Sequence, residues 1–229
     1  MSAMGGMIMP GGWTMSMTWM RMPAQTWFDV AASFLGMWTV MMVAMMLPSL
    51  LPMLIRYRQA VCNTGEPRTG LLTAVVGTGY FFAWIALGAI VFPVGAMLAS
   101  LEMQWPALAR AVPLATGIVV LLVGVHQFSG WKMRHLACCR LGAGHRLALP
   151  VNAGTAWRHG LYLGRHCVCC CGGLMTILLV LGVMDLVVMA VVTVAITAER
   201  LAPAGTVVAR VIGAVAIGAG LLMIAGLHV

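Results

Sequence analysis

The sequence predicts an all-helical protein that crosses a membrane several times. Hydrophobic residues make up 62% of its 229 residues and charged residues only 8%, whereas about 25% of a typical soluble domain is charged. So little charge cannot cover a water-facing surface, and so many apolar residues exclude a disordered chain. Because backbone groups in lipid must bond to each other, each span is expected to be a helix. The predicted fold is a polytopic bundle of about five transmembrane helices with its N-terminus outside.

Five apolar stretches reach the roughly 20 residues that a helix needs to cross a bilayer. We place them at residues 28–54, 71–99, 112–131, 173–197 and 205–227. The first contains Pro48 and Pro52, which predict a kinked or unwound inner end. The second is long enough to tilt or to end near Pro93.

The basic residues predict the orientation of these spans. Nine of the thirteen lie in two of the connecting segments: Arg56, Arg58, Arg68, Lys132, Arg134, Arg140, Arg146, Arg158 and Arg165. The positive-inside rule assigns these segments to the cytoplasm, with the N-terminus outside and the C-terminus inside. The net charge of +8 therefore indicates topology rather than nucleic-acid binding. The predicted organisation is an external arm over 1–27 and one transmembrane domain over 28–229, with a cytoplasmic Cys/His loop at 132–171.

All seven cysteines fall on the predicted cytoplasmic side: Cys62, Cys138, Cys139, Cys167, Cys169, Cys170 and Cys171. Structural disulfides are not expected there, and neighbouring cysteines rarely meet disulfide geometry. His135 and His166 extend the two cysteine groups, and thiolates with imidazoles are a usual ligand set for zinc or Cu(I). If the third and fourth spans pack side by side, the two groups meet. Lys132 and Arg140 would favour the deprotonated thiols that bind metal.

Two other interpretations of the cysteines stay open. Cysteine is a small hydrophobic residue that packs well in membrane helices, and the adjacent thiols at 167–171 would also suit a redox or catalytic protein.

Methionine is the second unusual feature, because eight of the 21 methionines lie in the first 27 residues. Thioethers are soft, uncharged ligands that select Cu(I). Within the first span, Met37, Met41 and Met45 fall on one helical face. The pattern predicts a path from the external arm, across the bilayer, to cytosolic thiolates, although methionine at this spacing also serves as packing.

Acidic residues in and beside the predicted fourth span complete the candidates. Asp185 lies in its middle, and a carboxylate at membrane depth is costly enough to predict a function, as a metal ligand, proton carrier or partner for another helix. Glu199 and Arg200 end the span and are expected to mark the membrane interface. No phosphate-binding glycine loop, nucleophile elbow or HExxH motif occurs. The expectation is a non-enzymatic protein, without predicted catalytic or cofactor-binding residues.

Three elements in order resemble a bacterial family of uncharacterised integral membrane proteins, described as predicted metal-binding, of which some members are labelled copper chaperones. Trp38 with residues 44–49 resembles the family's Trp and Ala-Met-Met-x-Pro-Ser element. His126-Gln127 with residues 132–140 resembles its Tyr-Gln…Lys…Cys-Leu-x-x-Cys-Arg element. Residues 167–175 resemble Cys-Val-Gly-Cys-Cys-Trp-x-Leu-Met.

The departures from the family pattern mostly keep or add ligands. His135 replaces the first cysteine of its element, His126 replaces tyrosine, Asp185 replaces asparagine and Cys169 replaces glycine. Gly172, in contrast, replaces tryptophan. The resemblance implies metal binding in a multi-pass protein of the bacterial inner membrane.

The combined prediction is a Cu(I)-binding membrane protein, with zinc as the other possible ion. The expected ligands are first Cys139, Cys167, Cys170 and Cys171, then Cys138, Cys169 and His135, with His166, Asp185, Met41 and Met45 as further candidates. Expected partners are the lipid bilayer, other membrane subunits and a soluble copper donor or acceptor, but no nucleic acid. The alternatives are an accessory subunit of a copper oxidase or monooxygenase complex, and a membrane thiol redox protein.

Overall fold

Seven α-helices and one short strand pair form the part of the chain that the computed structural model describes, which is residues 7–8, 14–15, 19, 25–141, 152–183 and 185–226. The helices are α1 (Trp27–Cys62), α2 (Thr69–Gln104), α3 (Pro106–His126), α4 (Gly130–Leu141), α5 (Ala153–Leu181), α6 (Leu186–Leu201) and α7 (Gly205–Ile224). The strands β1 (Met7–Ile8) and β2 (Thr14–Met15) pair antiparallel. Helices α1, α2, α3, α5 and α7 are long and apolar enough to cross a membrane. The predicted all-helical, multi-span fold is confirmed.

Helix α1 extends the first predicted span at its inner end. It begins at a capping box in which the Thr26 hydroxyl accepts from the Asp29 amide and the Asp29 carboxylate accepts from the Thr26 amide. The helix continues through Pro48 and Pro52 to Cys62, so the inner end is not unwound. Helix α2 likewise continues through Pro93. Membrane helices tolerate proline because neighbouring groups can satisfy the freed carbonyls.

The fourth predicted span, 173–197, is wrong, because it joins the ends of two helices. Helix α5 ends at Leu181, and Gly182 adopts a φ of +135° that glycine reaches without strain. The Asp185 carboxylate then accepts from the amides of Val187 and Val188, at 2.8 and 3.1 Å, and starts α6. The apolar residues on both sides of Asp185 concealed this break.

The predicted loop at 132–171 is also wrong within the described residues. Helix α4 covers its first part as far as Leu141, and α5 begins at Ala153. Residues 142–151 lie outside the described part. The first half of α5 carries exposed Arg158 and Arg165, which lowered its hydropathy enough to resemble a loop.

Helices α1, α2 and α5 pack around one core. The Trp38 indole on α1 donates to the Trp84 carbonyl on α2 at 2.9 Å. Helices α2 and α5 approach closely at glycines, and a Cβ on Gly164 would lie 2.7 Å from the Tyr80 carbonyl oxygen. Small residues at such crossings let membrane helices meet backbone to backbone.

Helices α3 and α7 pack antiparallel. A Cβ on Gly124 would lie 2.9 Å from the Gly213 carbonyl oxygen, and one on Gly117 would lie 3.2 Å from that of Gly220. The end of α7 therefore lies beside the first half of α3, at the same end of the bundle as the start of α1. The end of the last described helix was predicted to lie opposite the start of the first, and it does not, because the break at Gly182 adds the extra returning helix α6.

Candidate metal centre

Three cysteines of α5 and one of α4 bring their sulfur atoms together inside the bundle. Cys167, Cys170 and Cys171 share one face of α5 because residues three and four apart are neighbours on a helix. The Sγ atoms of Cys170 and Cys171 lie 3.3 Å apart, and those of Cys167 and Cys171 lie 3.8 Å apart. The Cys139 Sγ on α4 lies 3.5 Å from that of Cys170. All four side chains are buried, and all are free thiols.

These separations suit one shared metal ion. Metal–sulfur bonds of about 2.3 Å at tetrahedral angles place sulfur ligands about 3.8 Å apart. The Sγ atoms of Cys167, Cys170 and Cys171 all lie within 4.8 Å of one another. These three sulfur atoms can therefore close around an ion without a large movement of α5. The Cys139 sulfur approaches them through Cys170 and would move nearer to join as a fourth ligand. The four sulfur atoms are hereafter called the thiol cluster.

A buried cation lies directly beside the thiol cluster. The Arg200 guanidinium on α6 donates to the Cys167 sulfur at 3.2 Å and to the Ser49 hydroxyl at 3.0 Å. The Tyr80 hydroxyl on α2 also donates to the Cys167 sulfur, at 2.9 Å. Four helices thus meet at Cys167, and the guanidinium makes the position favourable for an anionic metal–thiolate complex.

A second buried polar group fixes α4 against α5 and α6. The Lys132 ammonium donates to the Glu199 carboxylate at 2.8 Å and to the Cys170 carbonyl at 2.6 Å. The Gln127 side-chain amide donates to the other Glu199 oxygen at 3.0 Å. These bonds hold the backbone of one thiol ligand and the helix that carries Cys139.

Glu199 and Arg200 are thus central to the site, and their predicted place at the membrane interface is wrong. Both side chains are buried. Because α6 starts at Asp185 and returns along α5, its last turn reaches the level of the cysteines. Sequence analysis missed this contact because it did not predict the break between α5 and α6.

The remaining predicted thiol and imidazole ligands lie next to the thiol cluster but outside it. Cys138 is half-buried, with its Sγ 3.9 Å from the Tyr162 hydroxyl, and Cys169 is half-buried on another face of α5. The His135 and His166 rings face each other, with centroids 5.4 Å apart.

The predicted methionine face of α1 reaches the thiol cluster. Met41 and Met45 are buried in the same core as the cysteines, together with Met42 and Met46. Ser49, one turn beyond Met45, shares Arg200 with Cys167. At 1.5 Å per residue, Met45 and Met41 lie about 6 and 12 Å further toward the start of α1. The half-buried Met37 extends this face outward.

Asp185 is not part of this site, contrary to the prediction that it could ligate the ion. Its exposed carboxylate caps α6. Cys171 and the end of α5 at Leu181 are separated by ten residues, which is about 15 Å of helix. The carboxylate is therefore at the far end of α5 from its charged half, where the Val187 and Val188 amides satisfy it.

The thiol cluster lies where α5 changes from charged to uncharged. Arg158 and Arg165 precede the cysteines, whereas residues 167–181 carry no charge.

Tyr80 and Ser49 are the partners of the site that sequence analysis missed, since both stand in apolar runs far along the chain from Cys167. Only the helix packing reveals them.

The family comparison agrees with this chemistry. Residues 35–223 match the model of a family described as PpoB2, copper chaperone. Comparison with curated proteins and with solved structures gives no match. The family match confirms the resemblance inferred from the methionine and cysteine elements.

Proposed function

Because the chain belongs to the PpoB2 copper chaperone family, we propose that it binds Cu(I) at Cys139, Cys167, Cys170 and Cys171 and passes it across a bacterial inner membrane. The observation that carries the proposal is the convergence of four buried sulfur atoms from two helices. The role is handling of the ion rather than catalysis. The structure changes one part of the predicted site: the thiols lie inside the helical bundle, not in a cytosolic loop.

The ligands and their surroundings support copper. Sulfur ligands suit Cu(I), and thioethers in particular select it over zinc. With two of the four thiols deprotonated, the Cu(I) complex carries one negative charge, and the Arg200 guanidinium beside Cys167 offers one positive charge to balance it. Balanced charge matters here because unpaired charge is costly in a dry interior.

The methionine face of α1 supplies a route to these thiols. Cu(I) captured by the methionine-rich arm over 1–27 would pass Met41 and Met45 and reach the thiol cluster. A soluble acceptor would then take it from the polar half of α5. Most of the methionine-rich arm lies outside the described residues, so the proposal that it captures Cu(I) is based on its methionine content.

The route can be tested with paired substitutions. The Met41→Leu/Met45→Leu variant keeps the size and burial of both side chains but removes their sulfur atoms. Cu(I) loading from the arm should slow at least about tenfold while the final copper content is unchanged. Met97→Leu, at an exposed position of α2, is the matched control. Equal loading rates in all three proteins would exclude the route.

The site itself is tested by elemental analysis of the detergent-purified protein, produced with copper and zinc both available. The Cys167→Ser/Cys170→Ser/Cys171→Ser variant should lose its metal. Cys62→Ser, an exposed cysteine at the end of α1, should keep it. Copper in the triple variant would refute the assigned site.

The same preparation separates the two other functions. A thiol redox protein would contain no metal and would show reversible oxidation among the three α5 cysteines. An accessory subunit of a copper enzyme would co-purify with further membrane proteins and hold little metal alone.

A further inference from the structure

A second group of potential ligands lies on the polar side of the thiol cluster, between α4 and α5. The His135 ring on α4 stacks near Trp131, with centroids 4.2 Å apart, and faces His166 on α5 at 5.4 Å. Tyr162 packs against His166 at 4.3 Å. The two imidazoles therefore meet between two aromatic side chains, Trp131 and Tyr162.

His135 is oriented as metal-binding histidines usually are. Its Nδ1 lies 2.9 Å from the Trp131 carbonyl oxygen, which fixes the proton on Nδ1 because a carbonyl can only accept. The lone pair is then on Nε2. Metal-ligating histidines characteristically use their other ring nitrogen in such a bond, which fixes both tautomer and ring orientation.

His166 has ligand capacity that the described residues do not use. Neither of its ring nitrogens has a hydrogen-bond partner within the described part of the chain, although both atoms are buried. Buried polar atoms in proteins are nearly always satisfied, and an exception often marks a ligand or ion site. A metal ion between His166 and His135 would satisfy the pair.

The position of the pair relates it to the thiol cluster. His135 precedes Cys139 by one helical turn, about 6 Å along α4. His166 directly precedes Cys167 on α5 and precedes Cys170 by one turn. The exposed Arg165 is adjacent to His166. The pair is therefore nearer to the charged half of α5 than the thiols are.

We propose that His135 and His166 form a second, imidazole metal site that holds Cu(I) between the thiol cluster and a soluble donor or acceptor. The inference rests on the proposed function for the identity of the ion. Two imidazoles at metal–nitrogen bonds of about 2.0 Å need nitrogens no more than about 4 Å apart. Rings with centroids at 5.4 Å reach this separation when the His166 ring turns one nitrogen toward Nε2 of His135. As neutral ligands, they hold Cu(I) less tightly than thiolates and suit transfer.

The test is an anaerobic Cu(I) titration of the full-length protein in detergent, followed by X-ray absorption at the copper edge. The parent should bind two equivalents, the first with sulfur neighbours and the second with imidazole scattering. The His135→Asn/His166→Asn variant should keep the first equivalent and bind the second at least tenfold more weakly. Its copper should also transfer more slowly to a soluble Cu(I) chelator.

His159→Asn is the matched control, because His159 is on the same helix but stacks on Tyr57 instead. It should behave as the parent. His135→Cys provides a second variant if the double variant does not fold, and sulfur should then replace one nitrogen in the spectrum of the second equivalent.

The possible failures are distinguishable. A parent that binds no copper with sulfur neighbours would overturn the proposed function. A parent with only the sulfur site, or a double variant that keeps both equivalents unchanged, would overturn the histidine site alone. An unaltered second-equivalent spectrum in His135→Cys would have the same meaning.

Discussion

Replacement of Lys132 by methionine is expected to destabilise the protein by about 3 kcal/mol. The substitution keeps the length of the side chain but removes the ammonium that bonds to Glu199 and to the Cys170 carbonyl. Both charged side chains are only 1% exposed. The buried Glu199 carboxylate would then lose the Lys132 ammonium that bonds to it.

The magnitude follows from this geometry. Removal of one member of a buried ion pair costs about 3–5 kcal/mol, since the remaining charge is uncompensated. The lower end applies because Gln127 still donates to Glu199 at 3.0 Å. For a chain of this size, 1 kcal/mol moves Tm by about 2–4 °C, so Tm should fall by about 6–12 °C.

Denaturation in mixed detergent micelles, followed by circular dichroism, measures this change. The Lys132→Met/Glu199→Gln double variant should recover more than half of the lost stability, because no buried charge is left unpaired. Arg134→Met, an exposed position on the same helix, should stay within about 0.5 kcal/mol of the parent. A single variant as stable as Arg134→Met would refute the burial and pairing of Lys132.

Three further substitutions test the packing, the cap and the charge at the site. Gly160→Ala should destabilise the protein by more than 1 kcal/mol, because its Cβ would collide with the Val76 carbonyl oxygen. The control Gly218→Ala, whose Cβ would meet nothing within 4 Å, should be neutral or stabilising. Equal effects of the two substitutions on thermal unfolding would contradict this packing. Asp185→Ala should cost about 1 kcal/mol through loss of the α6 cap without altering copper content, so loss of copper would return that residue to the ligand set. Arg200→Met should weaken Cu(I) binding at least tenfold in competition titrations, and Arg200→Lys should restore part of the affinity; unchanged affinity would exclude a role in charge balance.

Sequence analysis predicted the grouping of the cysteines better than its setting. Cys139, Cys167, Cys170 and Cys171 were the preferred ligands, and the structure places their sulfur atoms near one another; their role as ligands stays a prediction. Their spacing carries that information, since positions three and four apart share a helical face. The loop around them was wrong because hydropathy responds to the exposed arginines of α5 and not to its buried face.

The residues that contact the thiols could not be predicted from local sequence patterns. Arg200 follows an apolar run and resembles an ordinary interfacial residue, yet it reaches Cys167. That contact depends on one reversal of the chain, in which Gly182 ends α5 and Asp185 caps α6, so that α6 returns along α5. A hydropathy average does not detect so short a break, so the sequence analysis placed Arg200 and the last helix at the wrong end of the bundle.

The burial of the thiol cluster also bears on how copper would leave it. Thiolates inside a bundle bind Cu(I) out of reach of a soluble acceptor, so transfer needs either an opening of the helices or an intermediate ligand. The Lys132–Glu199 pair ties α4 to α6 and opposes opening. His135 lies one turn before Cys139 and His166 directly precedes Cys167, on the side of the thiols toward the charged half of α5, in the position that an intermediate ligand requires. A rigid thiol cluster and a weaker imidazole pair beside it would therefore allow tight binding and release to occur in one fold.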